Sequence, residues 1–449
     1  MAMDLAMRNE MRGMVDHERG LVDRRIYTDP DIYQMEMEQI FARAWLFMCH
    51  ESQIPNPGDF FLNFMGEDRV IVVRNNEGGI SVLVNSCRHR GNAVCRADEG
   101  HATSFMCTYH GWTYDLKGAL VGVPGFKEVY HEELDRENWG LINAAQVESY
   151  KGMVFANMDP DAPTLYDYLG EAGRFGLDIF TEQGDMEAIP GVHKFTINCN
   201  WKFPSDNTPD HYHGATTHIS ATISGHTIPS GRVSQGATRR FAPGRLNIGQ
   251  GATLLSDYGH GMAARFQVEG WEERVAGDPL NQWRLDPEIR EKLGPVGSKV
   301  ARGHLNVFPN LFVPSDTNVA IRMPKGPMKS EIWMWTFVDK RHPKDVRDKL
   351  RAYSGTHFGP VGLFEQDDGE NWDQSTIAMR GVVSGRYPLN YQMNVGRGEV
   401  ILDEDGPPRV DGHCTEHAQL WTYRNWATWM AAESWADLKA NHPKPEGTL

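Results

Sequence analysis

The sequence contains no run near the roughly 20 apolar residues that a membrane-spanning helix needs. Its N-terminus, MAMDLAMRNEMRG, is charged and lacks the apolar centre of a secretory signal. Cysteine is scarce: Cys49, Cys87, Cys95, Cys107, Cys199 and Cys414 are the six in 449 residues, too few for a disulfide scaffold. Together these absences lead us to expect a cytoplasmic protein whose thiols stay reduced and free for metal. Positive charge is also short, with 45 Lys and Arg against 60 Asp and Glu. The net charge of −15 excludes broad affinity for nucleic acid or an anionic membrane, while allowing a basic partner to dock locally. Internal repeats, low-complexity tracts and long charge blocks are absent as well. What is present is ordinary for a globular chain, 40% hydrophobic and 23% charged, and long enough for two or three domains. Thirteen tryptophans point to a large aromatic core.

Residues 28–45, TDPDIYQMEMEQIFARAW, read as a helix. Asp29 is its N-cap, Pro30 its first residue, and Tyr33, Met37, Ile40, Phe41 and Ala44 form one stripe. After Pro55 and Pro57 the texture becomes short, apolar and β-branched (FFLNFMG, RVIVVRN, ISVLVNS), which is an antiparallel β unit. It continues through TSFMC, GWTYDL and GMVFANM to about Asp159. DAPTLYDYLGEAGRF then opens a helix, HKFTINCNWKF and SEIWMWTFVD read as strands, and a further helix falls near 342–353. The expected class is α+β, with boundaries near 45–50 and near 160.

Two groups of residues carry chemistry. The first is Cys87-x-His89 followed, 17 residues on, by Cys107-x-x-His110, each pair at the end of an apolar strand signal. Structural zinc more often uses Cys-x₂₋₄-Cys knuckles. Mixed Cys/His pairs suit an asymmetric two-iron cluster, with two thiolates on one iron and two imidazoles on the other. Neutral imidazoles in place of thiolates make such a cluster less negative and easier to reduce. Spacing alone leaves both metals open. The flanking residues, CRHRGN and CTYHGW, closely resemble the Rieske [2Fe–2S] signature. Glycines after each His would let backbone N–H groups approach the cluster's sulfurs. Cys95 has no partner imidazole at either spacing and reads as a structural thiol.

The second is NTPDHYHGATTH, residues 207–218, with Asp210, His211, His213 and His218. Two imidazoles and one carboxylate on one face of an iron leave positions open for O₂ and substrate. His211 points to another side if the segment is helical, and is the spare. Here the chain resembles the large (α) subunits of Rieske non-haem iron aromatic-ring-hydroxylating dioxygenases. Their Asp-x₂-His-x₄-His motif matches Asp210, His213 and His218, and their Glu-x-Asp-Asp segment matches FEQDDGENW, making Asp368 the third iron ligand and Asp367 the alternate. HFGPVGLF and HLNVFPN also look like the family's. One departure stands out: many relatives carry Asn or Gln followed by Phe before the motif, where this chain has Asp206 and Asn207.

The resemblance implies an all-β Rieske domain (46–160) inserted in a larger helix-grip catalytic domain (161–449), with 1–45 a helical segment packed on the latter. It implies a [2Fe–2S] cluster on Cys87, His89, Cys107 and His110, and mononuclear Fe(II) on His213, His218 and Asp368. Electrons would come from NAD(P)H through a ferredoxin, a reductase or both. A small β subunit is implied, in an α₃β₃ or α₃ assembly where electrons cross between neighbouring subunits. Asp210 would share a helical face with His213, orient its ring and hydrogen-bond His110 of the next subunit. Asn207, Gly214, His304, Phe358 and Phe364 are the pocket residues implied, and no excess of Arg or Lys is evident near these segments. The reaction implied is conversion of an aromatic ring to a cis-dihydrodiol. Two alternatives are a Rieske monooxygenase or demethylase, and a Rieske electron carrier without oxygenase chemistry.

Overall fold

Asp29 accepts hydrogen bonds from the N–H groups of Asp31 and Ile32, so a helix begins at Pro30, as the capping pattern predicts. It is α-helical over Pro30–Glu36 and widens to a π turn over Met37–Phe41. It therefore stops short of residue 45, because Leu46–His50 pairs as a fully buried strand. The computed structural model describes residues 5–224 and 248–449. They form two compact units, Ile40–Leu165 and Met1–Gln39 with Tyr166–Leu449.

The unit Ile40–Leu165 is built from antiparallel sheets. Ile80–Val84, Asp68–Arg74, Asp59–Met65 and Glu99–His101 make one of four strands. Gln146–Tyr150, Met153–Asn157 and Leu46–His50 make a second, and Leu120–Gly122, Thr113–Tyr114 and Phe105–Met106 a third. Val70, Ile71, Val72 and Val73 are all buried, as expected of a β-branched central strand. Phe60, Ile71, Val73, Leu83, Phe105, Trp112 and Tyr114 form one core cluster, which also holds Cys87 and Cys107.

The larger unit is organised by a ten-stranded antiparallel sheet. Its order is Met186–Ala188, Ser330–Asp339, Asn318–Pro324, Leu311–Ser315, Val300–Val307, Gly261–Phe266, Gly251–Leu255, Gly406–Asp411, Val400–Asp403, with His193–Ile197 also pairing with Ser330–Asp339. SEIWMWTFVD is a strand over its whole length, buried at eight of its ten positions. The helix expected near 342–353 runs over Lys344–His357, and FEQDDGENW lies within the helix Leu363–Met379.

HKFTINCNWKF departs from expectation. Its strand ends at Ile197 and a helix, Lys202–Asn207, follows. The cause is a buried charge. Glu36 accepts hydrogen bonds from Trp201 Nε1 (2.8 Å), Trp426 Nε1 (2.7 Å) and Lys202 Nζ (2.5 Å). Glu36 and Lys202 are both buried, so turning Trp201 and Lys202 inward satisfies a carboxylate that would otherwise be uncompensated. This anchor fixes the short helix that delivers Asn207 to the site.

Candidate metal centres

The two ligand loops of the smaller unit are built alike. In the first, Gly91 N–H donates to the Cys87 carbonyl (2.8 Å) and Cys87 N–H to the Asn92 carbonyl (2.9 Å). In the second, Gly111 N–H donates to the Cys107 carbonyl (2.9 Å) and Cys107 N–H to the Trp112 carbonyl (2.8 Å). Gly91 and Gly111 adopt φ of 73° and 75°, which glycine takes without strain. These N–H groups close the loops; at Cys107 it is the N–H groups of Tyr109 and His110 that turn towards the sulfur. Burial works to raise the Cys107 thiol, and those donors with Asn92 bring it below its ordinary value.

The loops bring His89 Nδ1 and His110 Nδ1 to 3.1 Å. Both cysteines are buried, while both imidazoles are partly exposed, giving a covered thiol side and a partly exposed imidazole side. Trp112 stacks on His89 at 5.0 Å between centroids, and Tyr114 Oη lies 3.3 Å from Cys87 Sγ. Nothing in the spacing pointed to Tyr114 or Asn92 as partners of the sulfurs. Cys95 is buried, its Sγ 3.7 Å from the Ala97 carbonyl, and takes no part.

In the larger unit His213 Nε2 and His218 Nε2 lie 3.2 Å apart, and Asp368 Oδ1 lies 3.4 Å from each. A point equidistant from these atoms is about 1.9 Å from each, close to the length of a metal–nitrogen or metal–oxygen bond. Asp368 Oδ1 is buried and accepts no hydrogen bond among the described residues, which suits a carboxylate awaiting a cation. The donor set of two imidazoles and a carboxylate fits mononuclear iron. Burial, helped by Asp210 and Asp367 and opposed by His213 and Asn207, raises Asp368 to about 7. Burial, His213 and Arg302 lower His218 to about 3, leaving its ring neutral, the form that binds metal.

Behind each imidazole stands a carboxylate. Asp210 Oδ2 is 3.1 Å from His213 Nδ1, and Asp367 Oδ2 is 3.5 Å from His218 Nδ1. Asp367, expected as an alternate ligand, thus sits on the far nitrogen of His218, and only Asp368 faces both Nε2 atoms. The stretch Asp210–His213 is a bend, not the expected helical turn, because Asp210 Oδ1 caps the N–H groups of Tyr212 (2.6 Å) and His213 (3.3 Å). The helix Gly214–Thr217 begins only after it.

The expected pocket residues separate into four kinds. Asn207 hydrogen-bonds Asp368 and so orients a carboxylate. Phe364 sets its ring edge-on to His218 at 4.7 Å, with Phe358 buried behind it at 6.1 Å. Gly214 leaves space beside His218: among the described residues a Cβ there would meet only the ring's Cδ2, at 3.9 Å. His304 Nδ1 lies 3.2 Å from the Thr208 carbonyl.

Several residues carry weight that local sequence did not reveal. Arg322 donates to Thr208 Oγ1 and is fully buried alongside Glu365, which burial and Asp368 raise to about 8. Asp206 accepts hydrogen bonds from Tyr391 (2.6 Å) and Tyr423 (3.2 Å), and Tyr27 donates to Tyr423 (2.6 Å). Burial raises Asp206 to about 7.

Comparison with known proteins agrees with this geometry. Residues 168–431 match the ring hydroxylating alpha subunit (catalytic domain) family and residues 44–148 the Rieske [2Fe-2S] domain family. The chain is 39% identical over 447 residues to the biphenyl dioxygenase subunit alpha of Paraburkholderia xenovorans (strain LB400), covering 96% of this chain and 95% of the relative. It is 40% identical over 441 residues to the biphenyl 2,3-dioxygenase subunit alpha of Rhodococcus jostii (strain RHA1), covering 96% and 93%. A solved structure of naphthalene 1,2-dioxygenase with indole bound in the active site aligns with a TM-score of 0.84 at 31% identity, over 95% of this chain and 96% of that one. A Rieske [2Fe–2S] domain joined to a mononuclear-iron catalytic domain, matched along nearly the full length of aromatic dioxygenase α subunits, makes this chain a member of the ring-hydroxylating α-subunit family, the terminal oxygenases of aromatic-ring dioxygenases.

Proposed function

We propose that the chain hydroxylates an aromatic ring at a mononuclear iron held by His213, His218 and Asp368, giving a cis-dihydrodiol. The observation that carries this reading is the convergence of two imidazole Nε2 atoms and one buried carboxylate oxygen, all within 4.8 Å of one another. Open-shell ferrous iron bound there supplies the means for triplet O₂ to react with a closed-shell arene. The chain's own residues do the rest. Asp210 and Asp367 hold the imidazoles of His213 and His218 from behind, and Asn207 holds Asp368. Phe364 stands edge-on beside His218, and Gly214 keeps side-chain bulk away from that ring.

Cys87, His89, Cys107 and His110 are proposed to hold the [2Fe–2S] cluster, fed from NAD(P)H through a ferredoxin, a reductase or both. Asp210 is proposed to couple the two centres by also accepting a hydrogen bond from His110 of a neighbouring subunit. We assign 46–160 to the Rieske domain, 161–449 to the catalytic domain and 1–45 to a helical segment belonging with the latter. A small β subunit in an α₃β₃ assembly, or α₃ without it, completes the proposal. A cytoplasmic location fits the dependence on NAD(P)H and the six free cysteines. Iron analysis tests the reading: about three irons per chain are expected, with a rhombic EPR signal on reduction. About two irons with the same signal would reduce the chain to an electron carrier.

A further inference from the structure

Strand register places two arginines directly opposite each other. Arg265 on Gly261–Phe266 pairs with Arg302 on Val300–Val307, next to the pair Ala263–His304 on the same sheet face. Like charges across a strand pair are destabilising. Among the described residues no ion pair joins either guanidinium to a carboxylate; Arg265 is half-buried and Arg302 is exposed. From His211 to Ser256, 46 residues contain no Asp or Glu, in a chain where 60 of 449 residues are acidic.

Three histidines extend this basic face towards the metal ligands. His211 lies 4.8 Å from His304 and 5.2 Å from His413, between ring centroids. Both ring nitrogens of His211 are shielded from solvent and take no hydrogen bond among the described residues, and the same holds for His304 Nε2. His413 sits over Gly251, where a Cβ would meet its Nδ1 at 2.5 Å, and Gly251 is the strand partner of Arg265. His211 is two residues from His213, and His304, two residues from Arg302 on the same strand face, reaches the Thr208 carbonyl two residues before Asp210. The basic face and the metal ligands therefore share one neighbourhood.

We infer that Arg265 and Arg302, with His211, His304 and His413 beside them, form a subsite for an anionic substituent, so that the substrate is an arene bearing a carboxylate. Guanidinium pairs match carboxylate geometry and bind it through charge-assisted hydrogen bonds. The inference rests on the ring-hydroxylating reading above. The sequence shows no excess of Arg or Lys near the pocket segments; the two arginines come together through sheet register.

The test is calorimetric binding to the oxidised holoenzyme without O₂. Benzoate, phenylacetate and 3-phenylpropanoate are each compared with toluene, ethylbenzene and propylbenzene. The best acid is expected to bind at least tenfold tighter than its neutral analogue. Arg265→Gln and Arg302→Gln should each weaken the acid about tenfold and the neutral arene less than twofold. Both variants should melt no lower than the parent, since no ion pair is removed, and should lose the acid's stabilising shift. Neutral arenes binding as tightly as the acids, or unchanged acid affinity in both variants, would overturn the inference. A protein that binds acids selectively but oxygenates no arene would keep this subsite and defeat the oxygenase reading. One that oxygenates arenes without preferring acids would do the reverse.

Discussion

The two metal centres solve the same problem in opposite ways. The four cluster ligands span 24 residues and stand on two loops with the same hydrogen-bond pattern and the same left-handed glycine. The mononuclear site gathers His213 and His218 from a bend and a short helix, then takes Asp368 from 150 residues further on. Local turn geometry suffices for the first. The second depends on everything that holds the bend, the helix Leu363–Met379 and the Glu36 anchor in register. A locally built centre should tolerate distant substitutions, whereas one assembled over long range should not.

The largest expected effect follows from removing the long-range ligand. Asp368→Ala should abolish oxygenation and lower iron from about three to about two per chain, with the Rieske absorption unchanged. Loss of that absorption as well would mean the centres are not separately built. Next, His89→Cys should keep the cluster but drop its potential by a few hundred millivolts, as a third thiolate adds negative charge; redox titration by EPR reads this directly. Asp210→Asn should retain both metals and slow cluster reoxidation, in the presence of substrate and O₂, by about 10- to 100-fold. Wild-type reoxidation in stopped flow would remove Asp210 from the electron path.

Glu36→Gln leaves Lys202 buried without its counter-charge and should cost about 3–5 kcal/mol. On warming, mononuclear iron should be lost before the Rieske colour; the opposite order would break the comparison. The smallest effect belongs to Asp206. Its folded value near 7 exceeds the ordinary carboxylate value of about 4, so it binds a proton more tightly folded than unfolded. Its contribution to stability is therefore present at low pH and is lost as pH rises from about 4 through 7. Asp206→Asn should melt roughly 2–5 °C higher than the parent at pH 8 and about equally at pH 5.

The same contrast explains what the sequence made legible. CRHRG and CTYHG carry their geometry locally, so ligands, loops and glycines can all be read from them. Asp29 and Pro30 likewise announce a helix start, although its π-helical end needs the pairing of Leu46–His50. Asp210, His213 and His218 are legible as a set, but their arrangement is not, since side-chain capping by Asp210 displaces the helix that spacing suggests. Asp367 and Asp368 are adjacent in sequence, yet they address opposite nitrogens of His218. Glu365 with Arg322, Asp206 with its tyrosines, and Arg265 opposite Arg302 are products of tertiary packing and sheet register. No window of neighbouring residues encodes them.

Formation of a cis-dihydrodiol requires that both atoms of O₂ enter one ring. Its most direct test is a single turnover of fully reduced holoenzyme under ¹⁸O₂ with an arene that it binds, followed by mass analysis of the product. Two labelled atoms in a cis-dihydrodiol are predicted. A product carrying one labelled atom, or none, would contradict the account.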